Sequence, residues 1–306
     1  MKASSLLFKN LIFYRFTQPF TLNAMELQDR LRSKKFRPCG TQDMTSYGWV
    51  PALSKRSTAL VHENNHCLLI CAASEEKLLP ASVINDALEE RIERIEQEQD
   101  RQVFSKERRT IKDDIIMELL PKAFTKQKFT RAYIDKTEGW LVVNASSFRQ
   151  AEDLTSYLRH TLGSLPVVTP ALKESPNAVM TQWLSSRLLP KGFALCYDCE
   201  LIDPGEDGGK IIARNEELNT DAIHQHLDEG KAVSKLAIDW RETLHGYLTD
   251  DVRFQRLKFS DLFHEQIDAQ SLEGLEQQLD ADFIAMSGTL RHFLKELVKA
   301  LGGMPS

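Results

Sequence analysis

Residues 80–120 carry helical spacing over forty positions but only a narrow apolar stripe. Leu88, Ile92 and Ile95 fall at i, i+4 and i+7, on one helical face. Ile111, Ile115 and Leu119 form a second such set, and between Glu96 and Thr110 only Val103 and Phe104 are apolar. One unbroken helix would exceed the usual length of roughly 8–20 residues. The pattern predicts two helices joined near 103–105, with Ser105 as N-cap of the second. Such a pair has little core of its own. It reads as a projecting arm that leans on a partner or a ligand.

Around this arm the chain reads as hairpins and separate helices. LFKNLIFYRFT (7–17) reads as a strand, residues 24–31 as a short helix, and SYGWVP (46–51) as a turn at a strand end. HCLLICAA (66–73) reads as a buried strand, and residues 132–146 as a hairpin turning at Thr137-Glu138-Gly139. Residues 147–166 read as a helix stopped by Gly163, and DPGEDGG (203–209) as a turn. Residues 231–261 alternate as antiparallel strands broken at Asp250-Asp251. DFIAMSG (282–288) reads as a strand, and residues 289–303 as a helix ended by Gly302-Gly303. Helices do not alternate regularly with strands. The predicted class is α+β, with antiparallel sheets, flanking helices and the arm. The expected divisions are 1–79, the arm at 80–130, a continuation at 131–195, and a C-terminal α+β region at 196–306.

No run of 18 or more apolar residues occurs in the 306, so no transmembrane helix is expected. Lys9, Asn10 and Arg15 interrupt the apolar N-terminus, and no small-residue cleavage site follows, so a cytoplasmic chain with reduced cysteines is expected. The formal net charge of −5 hides an asymmetry. Residues 1–61 carry ten basic and three acidic groups, residues 101–131 nine and four, and residues 196–306 eleven and twenty-two. A polyanion on one surface would account for this, as would charges that mix once the chain is folded.

Motifs that carry chemistry are few. Cys196-Tyr197-Asp198-Cys199 is a lone C-x-x-C without the second pair a zinc site needs, and Asp198 and Glu200 disfavour a thiolate. His62 and His66 would share a helical face, but in a strand they stand roughly 13 Å apart, at ~3.3 Å per residue. Cys67 and Cys71 read as core residues, and His224 and His226 as solvated ones. No phosphate-binding glycine loop and no nucleophile elbow is present. Asp250-Asp251 and Glu89-Glu90 are poor dyads, the first on opposite strand faces and the second on a charged helix face. No metal site, cofactor site or catalytic constellation is expected.

The basic stretches remain. Arg101, Lys106, Arg108, Arg109 and Lys112 line the proposed arm, and Lys122, Lys126, Lys128 and Arg131 follow it. No acidic residue stands between Glu118 and Asp135. Dispersed lysines and arginines suit phosphate contact rather than base reading. They predict polyanion binding with weak sequence preference and strong salt dependence. Phe124 and Phe129 sit among them, able to stack on bases, fill a core or anchor a protein contact.

Nine stretches, in this order, resemble the recombination-associated RdgC family: FKNLIFYRF (8–16), FRPCGTQDMTSYGWVP (36–51), EEKLLPASVINDAL (75–88), LLPKAF (119–124), SLPVV (164–168), EDGG (206–209), KLAIDW (235–240), RLKFSD (256–261) and DADFIAMSGTL (280–290). The first four residues look like an extension ahead of the usual start. The resemblance implies a nucleoid-associated protein that binds double- and single-stranded DNA and restrains RecA-promoted strand exchange. It implies a ring-shaped homodimer with a basic inner wall, no cofactor and no chemistry. It further implies that Phe124 is the gate contact between subunits and that Arg101 and Lys122 face DNA. Another basic contact is expected after the EDGG turn. Arg214 stands there, but Asn215 and Glu216 replace the Lys-Gln pair typical of the family. Two rival readings stay open: a metal-dependent nuclease acting on recombination intermediates, and a recombinase-binding regulator that does not touch DNA.

Overall fold

A computed structural model describes residues 6–205, 208–268 and 274–305. The elements run β1 (Ile12–Phe16), α1 (Ala24–Arg32), β2 (Thr45–Val50), β3 (Val61–Asn64), β4 (Cys67–Leu78), α2 (Ala81–Gln99), α3 (Ser105–Leu119), β5 (Phe124–Asp135) and β6 (Trp140–Val143). There follow α4 (Phe148–Leu162), β7 (Val167–Val168), α5 (Pro176–Ser186), β8 (Phe193–Ile202), β9 (Lys210–Ala213), α6 (Asp221–Asp228) and β10 (Ala232–Trp240). The chain closes with β11 (Leu244–Thr249), β12 (Phe254–Phe259), α7 (Asp261–Asp268) and α8 (Leu275–Ala300). One sheet has the order β2-β4-β5-β6-β1-β7 with β3 on β4, and the other β12-β11-β10-β8-β9. The class is α+β, as the hairpin spacing predicts. No helix among the described residues is long and apolar enough to cross a membrane.

The chain forms two compact units. The first takes residues up to Arg30, Pro51–Cys71 and Thr130 onward; the second takes Leu31–Val50 and Ala72–Phe129. In the first unit the 26-residue α8 organises the core. Leu279, Phe283, Met286, Leu290, Phe293 and Leu297 are all buried and recur at helical spacing. Phe283 meets Tyr133 of β5 at 6.1 Å between ring centroids, and Phe293 meets Phe254 of β12 at 4.9 Å. Each buried phenylalanine contributes about 1.5–3 kcal/mol.

Residues 282–288 therefore belong to this helix and not to the predicted strand. Seven residues of an apolar run cannot reveal their period. The stripe shows only when Leu279 and Leu290 are counted with them. SYGWVP likewise forms strand β2 through Val50. Its Gly48 is required by contact, since a Cβ there would lie 2.3 Å from the Phe36 Cα. The hairpin at 137–139 is as read. Asp135 accepts the Thr137 and Glu138 N–H groups at 2.9 and 3.2 Å, and Gly139 takes φ +66°. In α4, the Ser147 side chain accepts the Gln150 N–H, and Gly163 closes the helix at φ +82°. Of the turn predicted at 203–209, Glu206 and Asp207 lie outside the described residues, as do residues 1–5.

One buried ion pair joins α8 to both hairpin turns of the first sheet. Arg291 bonds Asp135 at 2.7 Å through Nε and donates to the Asn65 carbonyl at 2.7 Å. Asp135 is 2% exposed, so removing its partner strands a charge. Arg291→Met is expected to lower unfolding stability by about 3–5 kcal/mol in urea denaturation; a loss below about 1 kcal/mol would contradict this role.

Candidate nucleic-acid interface

The second unit holds the helical pair and most of the predicted contact residues. Leu88 and Ile92 of α2 pack on Ile111 and Ile115 of α3, with Ile95, Val103 and Leu119 at the margin. That is a small core, as the narrow stripe requires. The linker opens with Asp100 in left-handed backbone at φ +48°. The N-cap of α3 is Phe104, not Ser105, which is the first helical residue, and no side chain caps the helix. Phe104 is 73% exposed.

The arm is not a uniformly basic surface. Arg101 forks onto Glu107 at 2.6 and 2.7 Å, and Arg108 pairs with Glu89 of α2. Exposed pairs of this kind are weak because water screens them, so a phosphate can displace the acid at small cost. Lys106, Arg109 and Lys112 of α3 make no ion pair among the described residues. Lys106 and Arg109 are three residues apart, neighbours on the helix surface.

The acid-free run behaves differently. Leu120–Lys122 forms a single 3-10 turn carrying Lys122, and strand β5 begins at once. Residues 124–129 of β5 are all exposed, whereas five of the six that follow are buried. Strand period 2 places Phe124, Lys126 and Lys128 on one face. Phe124 is 83% exposed. Lys128 lies 3.3 Å from Glu76, while Lys122 and Lys126 form no ion pair among the described residues. The expected hairpin start at 132 thus lies eight residues inside an actual strand.

Glu75 of β4 keeps this ribbon in register. Its carboxylate is buried and accepts the Cys39 N–H at 2.5 Å and the Gln127 side-chain amide at 2.8 Å. Those hydrogen bonds hold its pKa below the usual carboxylate range. A depressed pKa gives stability that is present above the unfolded-state value and is lost as pH falls through the folded one. Glu75→Gln should therefore be less stable than the parent at pH 7. The gap should close below about pH 4 in denaturant titrations; a gap independent of pH would contradict it.

Two predicted contacts stand apart from this ribbon. Arg131 is half-buried in the first unit and donates to the Ala52 carbonyl at 3.4 Å. Arg214, also in the first unit, lines a cleft with Lys235, Tyr247 and Arg256. No spacing in the sequence reveals that grouping.

The motifs set aside as structural occupy ordinary positions. Burial pushes the Cys67, Cys71 and Cys199 thiols up to about 11, so none is a ready nucleophile. Cys196 and Cys199 lie on strand β8, the first half-buried and the second buried. His62 is on β3, bonded to Asp280 at 2.6 Å, and His66 is in the turn before β4. The two histidines are therefore not on one strand, as the spacing argument had them. Glu89 and Glu90 pair with Arg108 and Arg94.

A family model described as "Putative exonuclease, RdgC" matches residues 6–304. The chain belongs to the RdgC family. It is 44% identical over 296 residues to the recombination-associated protein RdgC of Tolumonas auensis, covering 97% of this chain and 98% of that one. It is 41% identical over 296 residues, with the same coverage, to the proteins of that name from Salmonella paratyphi B and Salmonella typhimurium. The RdgC relatives are named for recombination, whereas the family description names a nuclease.

Proposed function

We propose that this chain is a DNA-binding protein of recombination that holds double- and single-stranded DNA through the backbone, with little sequence preference. The observation that carries the reading is the exposed half of β5 together with the 3-10 turn before it. There Lys122, Lys126 and Lys128 surround a phenylalanine that packing within the unit does not use. Lysines on a solvated ribbon meet phosphates as point charges and release counterions. Lys106 and Arg109 on α3 add cations without an ion pair among the described residues, and Arg101 and Arg108 can exchange their glutamates for phosphate.

Phe124 is assigned to the contact between two copies. An aromatic this exposed is a characteristic anchor for a partner pocket, and a few such anchors dominate interface energies. Two subunits joined there and at a second interface would close around DNA as a ring. The closed ring would obstruct RecA-promoted strand exchange by occupying the DNA, and the protein would reside with the nucleoid. None of these steps uses a cofactor.

The experiment is the affinity for a random duplex as a function of salt. Log K should fall with log[salt] by several units of slope, at about 0.9 per neutralised phosphate. Changing Lys122, Lys126 and Lys128 together to Gln should lower the slope by about 2–3. Binding indifferent to salt would remove the reading and favour a regulator that touches only protein. Phe124→Ala should fold normally, with stability within about 0.5 kcal/mol of the parent. It should shift sedimentation towards monomer and speed DNA release, and an unchanged mass and off-rate would refute the gate.

The family description supports a second reading, an exonuclease. Incubation of end-labelled duplex with Mg²⁺ or Mn²⁺ decides it. Release of mononucleotides would establish the nuclease, and intact DNA would leave binding as the activity.

A further inference from the structure

The outer face of the C-terminal sheet carries a charged cleft distinct from the β5 ribbon. Strands β8, β10 and β11 turn Cys199, Leu201, Leu236 and Leu248 into the core. Asp198, Glu200, Lys235 and Tyr247 alternate with them and share the opposite face. Arg214, just after β9, and Arg256 of β12 complete a cleft of ≈ 190 Å³.

Arg256 reaches this cleft by a costly local conformation. His245 pairs with Lys258, but Tyr247 pairs with Gln255, so Arg256 and Leu257 together oppose Gly246. In one form of such a bulge the first residue takes left-handed backbone, where glycine is the usual occupant. Here arginine occupies it at φ +52°. Gly246 leaves the room, since a Cβ there would sit 2.6 Å from the Phe254 ring. The bulge brings the Arg256 guanidinium to 5.6 Å from the Tyr247 ring centroid, and Lys235 Nζ lies 4.9 Å from the same ring. Strain kept in a backbone is a pointer to the task of the side chain it aims.

The carboxylates of the cleft are already engaged. Asp198 accepts the Tyr247 hydroxyl and the Asn215 N–H, the latter at 2.7 Å, and these bonds hold its pKa low. Glu200 bonds Lys210 at 2.5 Å, with Lys235 farther off at 3.9 Å. Arg214 and Arg256 make no ion pair among the described residues. Burial holds the Lys235 ammonium below the ordinary lysine range, which a bound anion would reverse.

We propose that Arg214, Lys235 and Arg256 form a site for a single phosphate group. The group comes either from a DNA strand, in which case the site rests on the DNA-binding reading, or from a free phosphomonoester, in which case it stands alone. Arg256→Gly is the decisive variant, because it removes the guanidinium and keeps a backbone that glycine prefers. Lys235→Met is its companion. Binding of inorganic phosphate and of AMP is measured by calorimetry, with the salt dependence of a random duplex beside it.

The parent should bind phosphate, and each variant should bind it at least tenfold more weakly. The thermal midpoint of Arg256→Gly should hold or rise. If a strand supplies the group, phosphate competes with duplex and Arg256→Gly lowers the salt slope by about 0.9. If a free ester supplies it, AMP binds more tightly than phosphate and the duplex slope stays. A parent that binds neither ligand, with a duplex slope unchanged in Arg256→Gly, overturns the site. So does a lowered midpoint with binding intact, which would make Arg256 structural. Failure of the DNA reading shows separately, as a parent that ignores duplex at low salt whatever it does with phosphate.

Discussion

Strand β5 changes solvent half-way along its length, and that change fixes much else. Twelve residues at ~3.3 Å each span roughly 40 Å. From Thr130 the strand is buried, with Arg131 the one half-buried exception, and before Thr130 every residue is exposed. The exposed half has no core to hold its register, so cross-strand bonds to Glu75 and Glu76 of β4 do so. Lysines on such a ribbon have a plain structural benefit, because charge discourages pairing with a stray strand. Phe124 has no such justification. An exposed phenylalanine at the head of the ribbon works against solubility, which is why the functional reading turns on it.

The first unit supplies the opposite case, a region where almost every choice serves packing. α8 touches strands of both sheets through Phe283 and Phe293, and Arg291 fixes it to the turns of the first. The exceptions stand out against that background. Arg256 in left-handed backbone and the charged outer face of the C-terminal sheet are local departures from the packing rules, and such departures gather where a protein meets something else.

Periodicity made the long elements legible. The α2–α3 pair, the hairpin turn at 137–139 and α4 with its Gly163 stop all follow from spacing and turn chemistry. Residues 282–288 misled because a seven-residue window fits a strand and a helix equally well. Ser105 missed the cap by one position because the structure leaves that helix end without the side-chain bond that would have marked it. The ribbon's charge was legible, yet the ion pairs of Arg101 and Arg108 were not, since Glu89 and Arg108 meet only after the arm folds back. The cleft at Arg256 was invisible for a different reason. A bulge shifts a strand's facing by one residue, and alternation alone would have aimed that side chain elsewhere.

The central claim, closure around DNA, is tested most directly by retention on circles. The protein is loaded at low salt on a relaxed closed circular plasmid, washed at high salt, and then released by a single restriction cut. The account predicts that a fraction survives the wash on circles and leaves on linearisation, because salt breaks phosphate contacts but not a topological link. Equal loss from circular and linear DNA in the same wash would contradict it.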